Sequence, residues 1–388
     1  MRDHSDARAR TGVSVVFLVH GAVTGSFATR IPWVADHVGV GIGQLGIALL
    51  FPAVGAMATM SLAGRLVHRY SPRTVTRVLL ACWCAALVPP ALAPNLVTLC
   101  AAMLFYGVAS GMADVAMNAE AVVIEQRLAR PIMSGLHGLW SVGGLLASGV
   151  GVAAAALDID ARIQFGVMAV LLGVLGVWAC RTLPAEHAAQ AGDAPPAFAL
   201  PARPVLLIAL VAFCAIFGEA AGSDWSAKYL TDVTDADPAI AAGAYTGFAM
   251  AMALGRLVGN AVVLRLGVVG SVRLAGVLAA AGAGLIALAR SPVLAILGFA
   301  VLGIGVAVVV PLAFTAAGAA TPHPGHAIAG VATIAYGAGL AAPALIGWVA
   351  AATSLSASFV MVGLLALVVV LGAGTFRPRH VPEDAAIR

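Results

Sequence analysis

Ionisable side chains are scarce in this chain, and the few that interrupt its apolar segments are the ones able to do chemistry. The stretch Gly107 to Glu125, GVASGMADVAMNAEAVVIE, places Asp114, Asn118 and Glu120 inside a segment otherwise apolar enough to cross a bilayer. A carboxylate in hydrocarbon is costly, so it faces a bundle interior or a wet cavity. On a helix Asp114 and Asn118 are four apart and share a face, with Glu125 on it as well, while Glu120 points elsewhere. Two readings are open for Asp114. It takes up and releases a proton as its cavity faces each side in turn, or it is permanently paired with an arginine and pins two helices.

Other apolar segments hold Glu219, Arg256, His20, His137 and Trp140. Arg256 lies about 13 Å deeper along its helix than Arg265. A buried guanidinium requires carboxylate or carbonyl ligands, so Arg256 either binds an anionic group of a solute or locks to Glu219 or Asp114. Glu219 is a second proton-coupling candidate with Asp114. His137 and Trp140 are three apart on one helical face among glycines, where a histidine relays protons, bonds a solute hydroxyl, or bonds a neighbouring helix. His20 and Asn118 complete the candidate solute-binding set. Asp224 and Lys228, four apart, read as a boundary clasp, and so do Arg30 and Asp36. Trp33, Trp225 and Trp348 read as interface-belt residues.

These residues are positioned by a membrane scaffold. Of 388 residues 61% are hydrophobic and 10% charged, with a mean hydropathy of +1.01, far from the roughly 25% charged content of soluble domains. Basic residues are dispersed, which excludes a nucleic-acid face. The five cysteines sit in apolar runs without metal-ligand spacing, so neither a disulfide framework, a metal nor a cofactor is expected. The N-terminal arginines followed by an apolar run imitate a signal peptide, yet the run is too long and reads as the first span.

By length and hydropathy twelve spans are predicted: 12–35, 43–67, 73–91, 95–126, 132–156 and 161–181, then 203–230, 239–266, 271–289, 292–319, 326–352 and 356–376. Arginine and lysine concentrate on alternate connections, which places both termini in the cytoplasm. The Pro-rich segment 182–202 divides the chain into an N-terminal bundle, 1–181, and a C-terminal bundle, 203–388. Matching features recur between the halves at offsets of 195 to 197: Gly21 and Gly25 with Gly218 and Gly222, Arg69 with Arg265, and Gly135 and Gly144 with Gly330 and Gly339. The expected fold is therefore all-α, with twelve transmembrane helices in two pseudo-symmetric six-helix bundles.

This arrangement resembles the major facilitator superfamily over essentially the whole chain. The loop after span 2 in that family carries a glycine, an Asp-Arg pair, a second glycine and further basic residues, and GRLVHRYSPR from Gly64 to Arg73 resembles it, with His68 in place of the Asp and Ser71 in place of the second Gly. The resemblance implies a cytoplasmic gate at Arg65, His68, Arg69 and Arg73, and with the Asp of the motif missing, Glu120 or Glu125 is the expected acidic partner of the arginines when that gate is closed. Asp114 and Asn118 are similar to the acidic-xxx-Asn element in span 4 of fucose-permease-type proton symporters, and GLHGLWSVGG from Gly135 to Gly144 also resembles that branch. Those symporters carry an Asp in span 1 where alignment on Ile31 and Pro32 puts Ala28, so the same pair of carboxylates is not available.

The resemblance implies a monomeric, multi-pass inner-membrane transporter that couples a small polar, sugar-like solute to protons by alternating access. The alternative is an exporter of a metabolite or drug in the same fold. A cavity lined by His137, Asp114 and Asn118 favours the first, a broad apolar cavity the second. A membrane enzyme or receptor is disfavoured, because the sequence holds no HExxH, GxSxG or phosphate loop.

Overall fold

The computed structural model describes residues 2–128, 132–184, 205–320 and 324–377. Fourteen α-helices run through them: α1 (Arg2–Ala28), α2 (Ile31–Val38), α3 (Ile42–Arg69), α4 (Pro72–Ala85), α5 (Pro89–Leu92), α6 (Leu96–Leu128), α7 (Met133–Ala156) and α8 (Ala161–Ala179) precede the predicted linker. After it come α9 (Leu206–Thr234), α10 (Pro238–Leu288), α11 (Pro292–Val306), α12 (Val309–Ala319), α13 (Pro324–Ala352) and α14 (Leu355–Gly372). Most of the linker and the C-terminal tail lie outside the described residues.

Proline and glycine set the breaks. Pro89 and Pro311 each lack an amide hydrogen and clash with the carbonyl four residues back, so the predicted span 73–91 divides into α4 and α5 and the span 292–319 into α11 and α12. Pro32 opens α2 after a turn at Thr29 and Arg30. The helix α10 has 51 residues, about 76 Å at 1.5 Å per residue, against a hydrocarbon thickness of about 30 Å. It contains two crossings joined at Gly267, whose φ of 68° is open to glycine at little cost. Eleven helical segments are long and apolar enough to cross a membrane, and the doubled α10 brings the crossings to twelve.

Side-chain caps fix several starts. Gln44 accepts from the Gly41 amide at 3.0 Å, Ser291 from Leu294 and Ser354 from Ala357. Asp160 caps α8, accepting from the Arg162 amide and guanidinium, and this pairing holds its carboxyl down at about 2.

Within the first bundle α1 packs on α7 and α8, and α3 on α6. Small residues allow the first crossing: a Cβ on Gly21 would lie 1.9 Å from the Trp140 carbonyl oxygen, and one on Gly25 2.1 Å from that of Gly144. The related glycines of α9 are used differently, since Gly222 makes room for the Phe248 ring. In the second bundle α9 packs on α13, as α1 does on α7.

The bundles meet through α3 on α13 and α7 on α10, two contacts that exchange with each other under a shift of six spans. At one end the halves are latched. Lys228 of α9 lies 3.1 Å from Asp36 of α2, Thr246 of α10 donates to Ser148 of α7 at 3.0 Å, and a Cβ on Gly347 would fall 2.8 Å from the Cα of Gly46. Toward the other end of α7, Gly135 and Gly138 are exposed, and among the described residues nothing stands within 4 Å of a Cβ built on either. Leucines 80% or more exposed, Leu264 and Leu371, face outward where lipid would lie.

Candidate functional site: a cavity between the bundles

A cavity of about 340 Å³ lies between the halves, walled by Phe27, Tyr106, Trp140, Tyr245, Phe248 and Met252, among others. The α9 face that enters it is set by helical period: Ile216, Glu219, Ala220, Ser223 and Asp224 recur at intervals of three and four. Tyr245, Phe248, Ala249 and Met252 do the same on α10. Among the described residues polar groups are few, namely Thr24, Tyr106, Trp140, Ser141, Glu219, Ser223, Asp224 and Tyr245, and no basic side chain lines the space.

The two carboxylates differ. Glu219 accepts from Arg256 Nη2 at 3.3 Å, a partly exposed ion pair between α9 and α10. Asp224 has no ion-pair or hydrogen-bond partner among the described residues. The clasp expected between Asp224 and Lys228 is not formed. Lys228 instead bridges Asp36 at 3.1 Å and Asp232 at 3.0 Å, one turn on, and leaves Asp224 to the cavity. Arg30, expected to clasp Asp36, donates to the Ile159 carbonyl.

Behind the first bundle's wall, His20 organises the aromatic residues. Trp140 donates its indole N–H to His20 Nδ1 at 3.0 Å, and His20 Nε2 lies 3.4 Å from the Ser110 carbonyl oxygen. An indole nitrogen only donates and a carbonyl only accepts. The ring is therefore the neutral tautomer with its hydrogen on Nε2. It stacks on Trp83 at 5.1 Å, and Trp83 leans on Tyr106 at 4.4 Å. Trp83 also donates to the His20 carbonyl at 3.2 Å. The cavity residues Tyr106 and Trp140 are thus joined through two buried rings.

The residues singled out in the sequence scatter. Glu219 and Trp140 line the cavity; His20 and Arg256 stand directly behind Trp140 and Glu219. Asp114, Asn118 and His137 do not line it. Asn118 donates to the Asp114 carboxylate at 3.2 Å and to its carbonyl at 2.9 Å, and His137 meets the edge of Phe17. Glu120 is 1% exposed with both oxygens lacking a hydrogen bond, and Glu125 accepts from the Ile132 and Met133 amides at the start of α7. Arg65 and Arg69 are exposed and Arg73 is half-buried, none in an ion pair with Glu120 or Glu125; the His68 side chain lies outside the described residues. Trp225 is fully buried rather than at a membrane interface.

Tyr106, Tyr245 and Asp224 are among the cavity residues that sequence reasoning did not place there. The two tyrosines carry no charge to mark them in an apolar run. Asp224 falls four residues on from Ala220, next to Glu219, so the helical period carries it to the same side of α9.

A polytopic helical protein whose two bundles are latched at one end around a central, partly polar cavity is built as a membrane transporter. The family model for the Major Facilitator Superfamily matches residues 13–267, and the chain belongs to that superfamily. It is 34% identical over 364 residues to an uncharacterized transporter of Sinorhizobium fredii, covering 92% of this chain and 95% of that one. An MFS-type transporter of Yersinia pestis is 36% identical over 361 residues, covering 92% and 93%. Membrane protein MosC of Rhizobium meliloti is 29% identical over 378 residues, covering 95% and 90%. Among solved structures, a mutant of the nucleoside transporter NupG superposes with a TM-score of 0.79 at 13% identity, over 94% of this chain and 99% of that one. A bacterial homolog of the human lysosomal transporter Spinster, in an inward-facing and unoccupied conformation, gives 0.71 at 13% identity, over 98% and 99%.

Proposed function

We propose that this protein is a secondary active transporter that carries a small organic solute through the central cavity by alternating access, coupled to protons. The observation that carries the reading is the cavity itself, lying between the two halves beside the contacts that latch them at one end. Arg65, Arg69 and Arg73 belong to the end of α3 and the start of α4, opposite the latched end at Gly46, and the positive-inside bias supports reading that end as cytoplasmic and this state as inward-facing.

The coupling site we favour is Glu219 with Arg256. Protonation of Glu219 removes the charge that holds the guanidinium, which frees the α9–α10 contact at the cavity wall. Asp114 acts at most indirectly in this state, from behind the wall. The walls are mainly aromatic and aliphatic, which favours a solute with apolar surface and few polar groups over a sugar. The same feature supports a second reading, export of an amphipathic metabolite.

The test is uptake by proteoliposomes under an imposed pH gradient over a panel of solutes, comparing wild type with Glu219→Gln and Asp114→Asn. Gradient-driven accumulation lost in Glu219→Gln and kept in Asp114→Asn is expected. Full gradient dependence in Glu219→Gln would remove Glu219 from coupling.

A further inference from the structure

The cavity carries a charge imbalance that the coupling pair does not absorb. Among the described residues two carboxylates face it and no lysine, arginine or histidine does. Arg256 answers Glu219, and Lys228, the basic residue nearest to Asp224 along α9, is committed to Asp36 and Asp232. A carboxylate among apolar walls without a counter-charge is unfavourable unless something brings one. A second observation is independent of charge. The Tyr106 side chain, 7% exposed, lines the same cavity, and its buried hydroxyl has no hydrogen-bond partner. Buried hydroxyls are nearly always bonded, so an unpartnered one in a cavity wall marks a place that a ligand or water fills.

Resting on the transporter reading above, we propose that the solute is an organic cation whose protonated amine pairs with Asp224 and whose neighbouring polar group bonds the Tyr106 hydroxyl. The walls fit this chemistry. Tyr106, Tyr245, Phe27 and Phe248 offer ring faces to an ammonium, which is attracted by the aromatic quadrupole as well as by the carboxylate. The same census disfavours anions, which would enter a space holding two acids and no free cation. Division of labour follows: Asp224 recognises the solute, and Glu219, already neutralised by Arg256, is left to exchange a proton.

The experiment is a thermal-unfolding screen of the purified protein against a metabolite library sorted at pH 7 into cationic amines, neutral compounds and anions, with hits followed by uptake into proteoliposomes. Stabilising compounds are expected among the amines, with matched alcohols at least tenfold weaker on wild type. Asp224→Asn should weaken the best amine at least tenfold, Asp224→Glu should retain most binding, and Tyr106→Phe should weaken it severalfold. Hits that are neutral or anionic, matched alcohols that bind as well as their amines, or an Asp224→Asn variant that binds the amine unchanged would overturn the assignment while leaving transport intact. The wild-type comparison of amine with alcohol decides the matter even where the Asn variant misfolds. Neither binding nor uptake in any class would overturn both this assignment and the transporter reading.

Discussion

Lys228 on α9 reaches Asp36 on α2, 192 positions earlier in the chain, with 3.1 Å between Nζ and the carboxylate. This pair ties the C-terminal bundle to the N-terminal one at the latched end. Its lysine side chain is 9% exposed and its aspartate 70%, so water screens one partner only. Asp36→Ala leaves Lys228 with Asp232, and the expected loss is roughly 0.2–1 kcal/mol, a shift of up to about fivefold toward the state open at this end. Accessibility of a cysteine placed at Gln44 reports it: faster labelling is predicted, and unchanged labelling would show that the pair does not latch.

A larger effect is expected at the glycine contact beside it. A Cβ on Gly347 would already meet the Gly46 backbone, so Gly347→Leu should prevent closure at that end while leaving each bundle folded. Gly337→Ala, in open space on the same helix, is the matched control. Loss of transport in the first with normal thermal stability and normal transport in the second is the predicted pattern.

His20 and Trp140 make a testable stability claim. His20→Leu removes the acceptor of the Trp140 indole and leaves that N–H without its partner, costing about 1–3 kcal/mol. The midpoint of thermal unfolding should fall, and the tryptophan emission should change as the indole environment changes. An unaltered midpoint would show that water replaces the imidazole.

Glu219 and Arg256 should behave as a unit. Each is about a third exposed, so their coupling in a double-mutant cycle should be modest, about 1 kcal/mol or less. Arg256→Gln and Glu219→Gln combined should then be no less stable than the worse single variant. Strict additivity of the two would mean that the contact contributes nothing.

How much of this was legible in the sequence depends on the physics involved. Spans follow from hydropathy and length alone, and the twelve predicted crossings match α1 to α14 once Pro32, Pro89 and Pro311 are allowed to divide three of them and Gly267 to join two. Glu219 and Trp140 were visible as residues out of place in apolar runs. Asp224 was hidden because Lys228 at i+4 looked like a sufficient partner; helical spacing reports neighbours on the same helix, and Asp36 lies far away in sequence. That Asp114 does not line the cavity was hidden for the converse reason: depth along α6 is readable, but which side of α6 meets the other bundle is decided by packing of α3 and α4. His20 could be named as a candidate, whereas its neutral tautomer depended on Trp140 and Ser110 arriving from two other helices.

The central claim is that the two bundles alternate about the cavity. Its most direct test is electron–electron distance measurement between spin labels in a variant lacking the five native cysteines. One pair, at Gln44 and Thr353, spans the latched end, and a second, at Arg69 at the end of α3 and Arg265 beside the α10 break, spans the opposite end. The account predicts two distance populations at each end that exchange in opposite directions, one lengthening as the other shortens when pH or solute is changed. A single, unvarying distance at both ends under all conditions would contradict it.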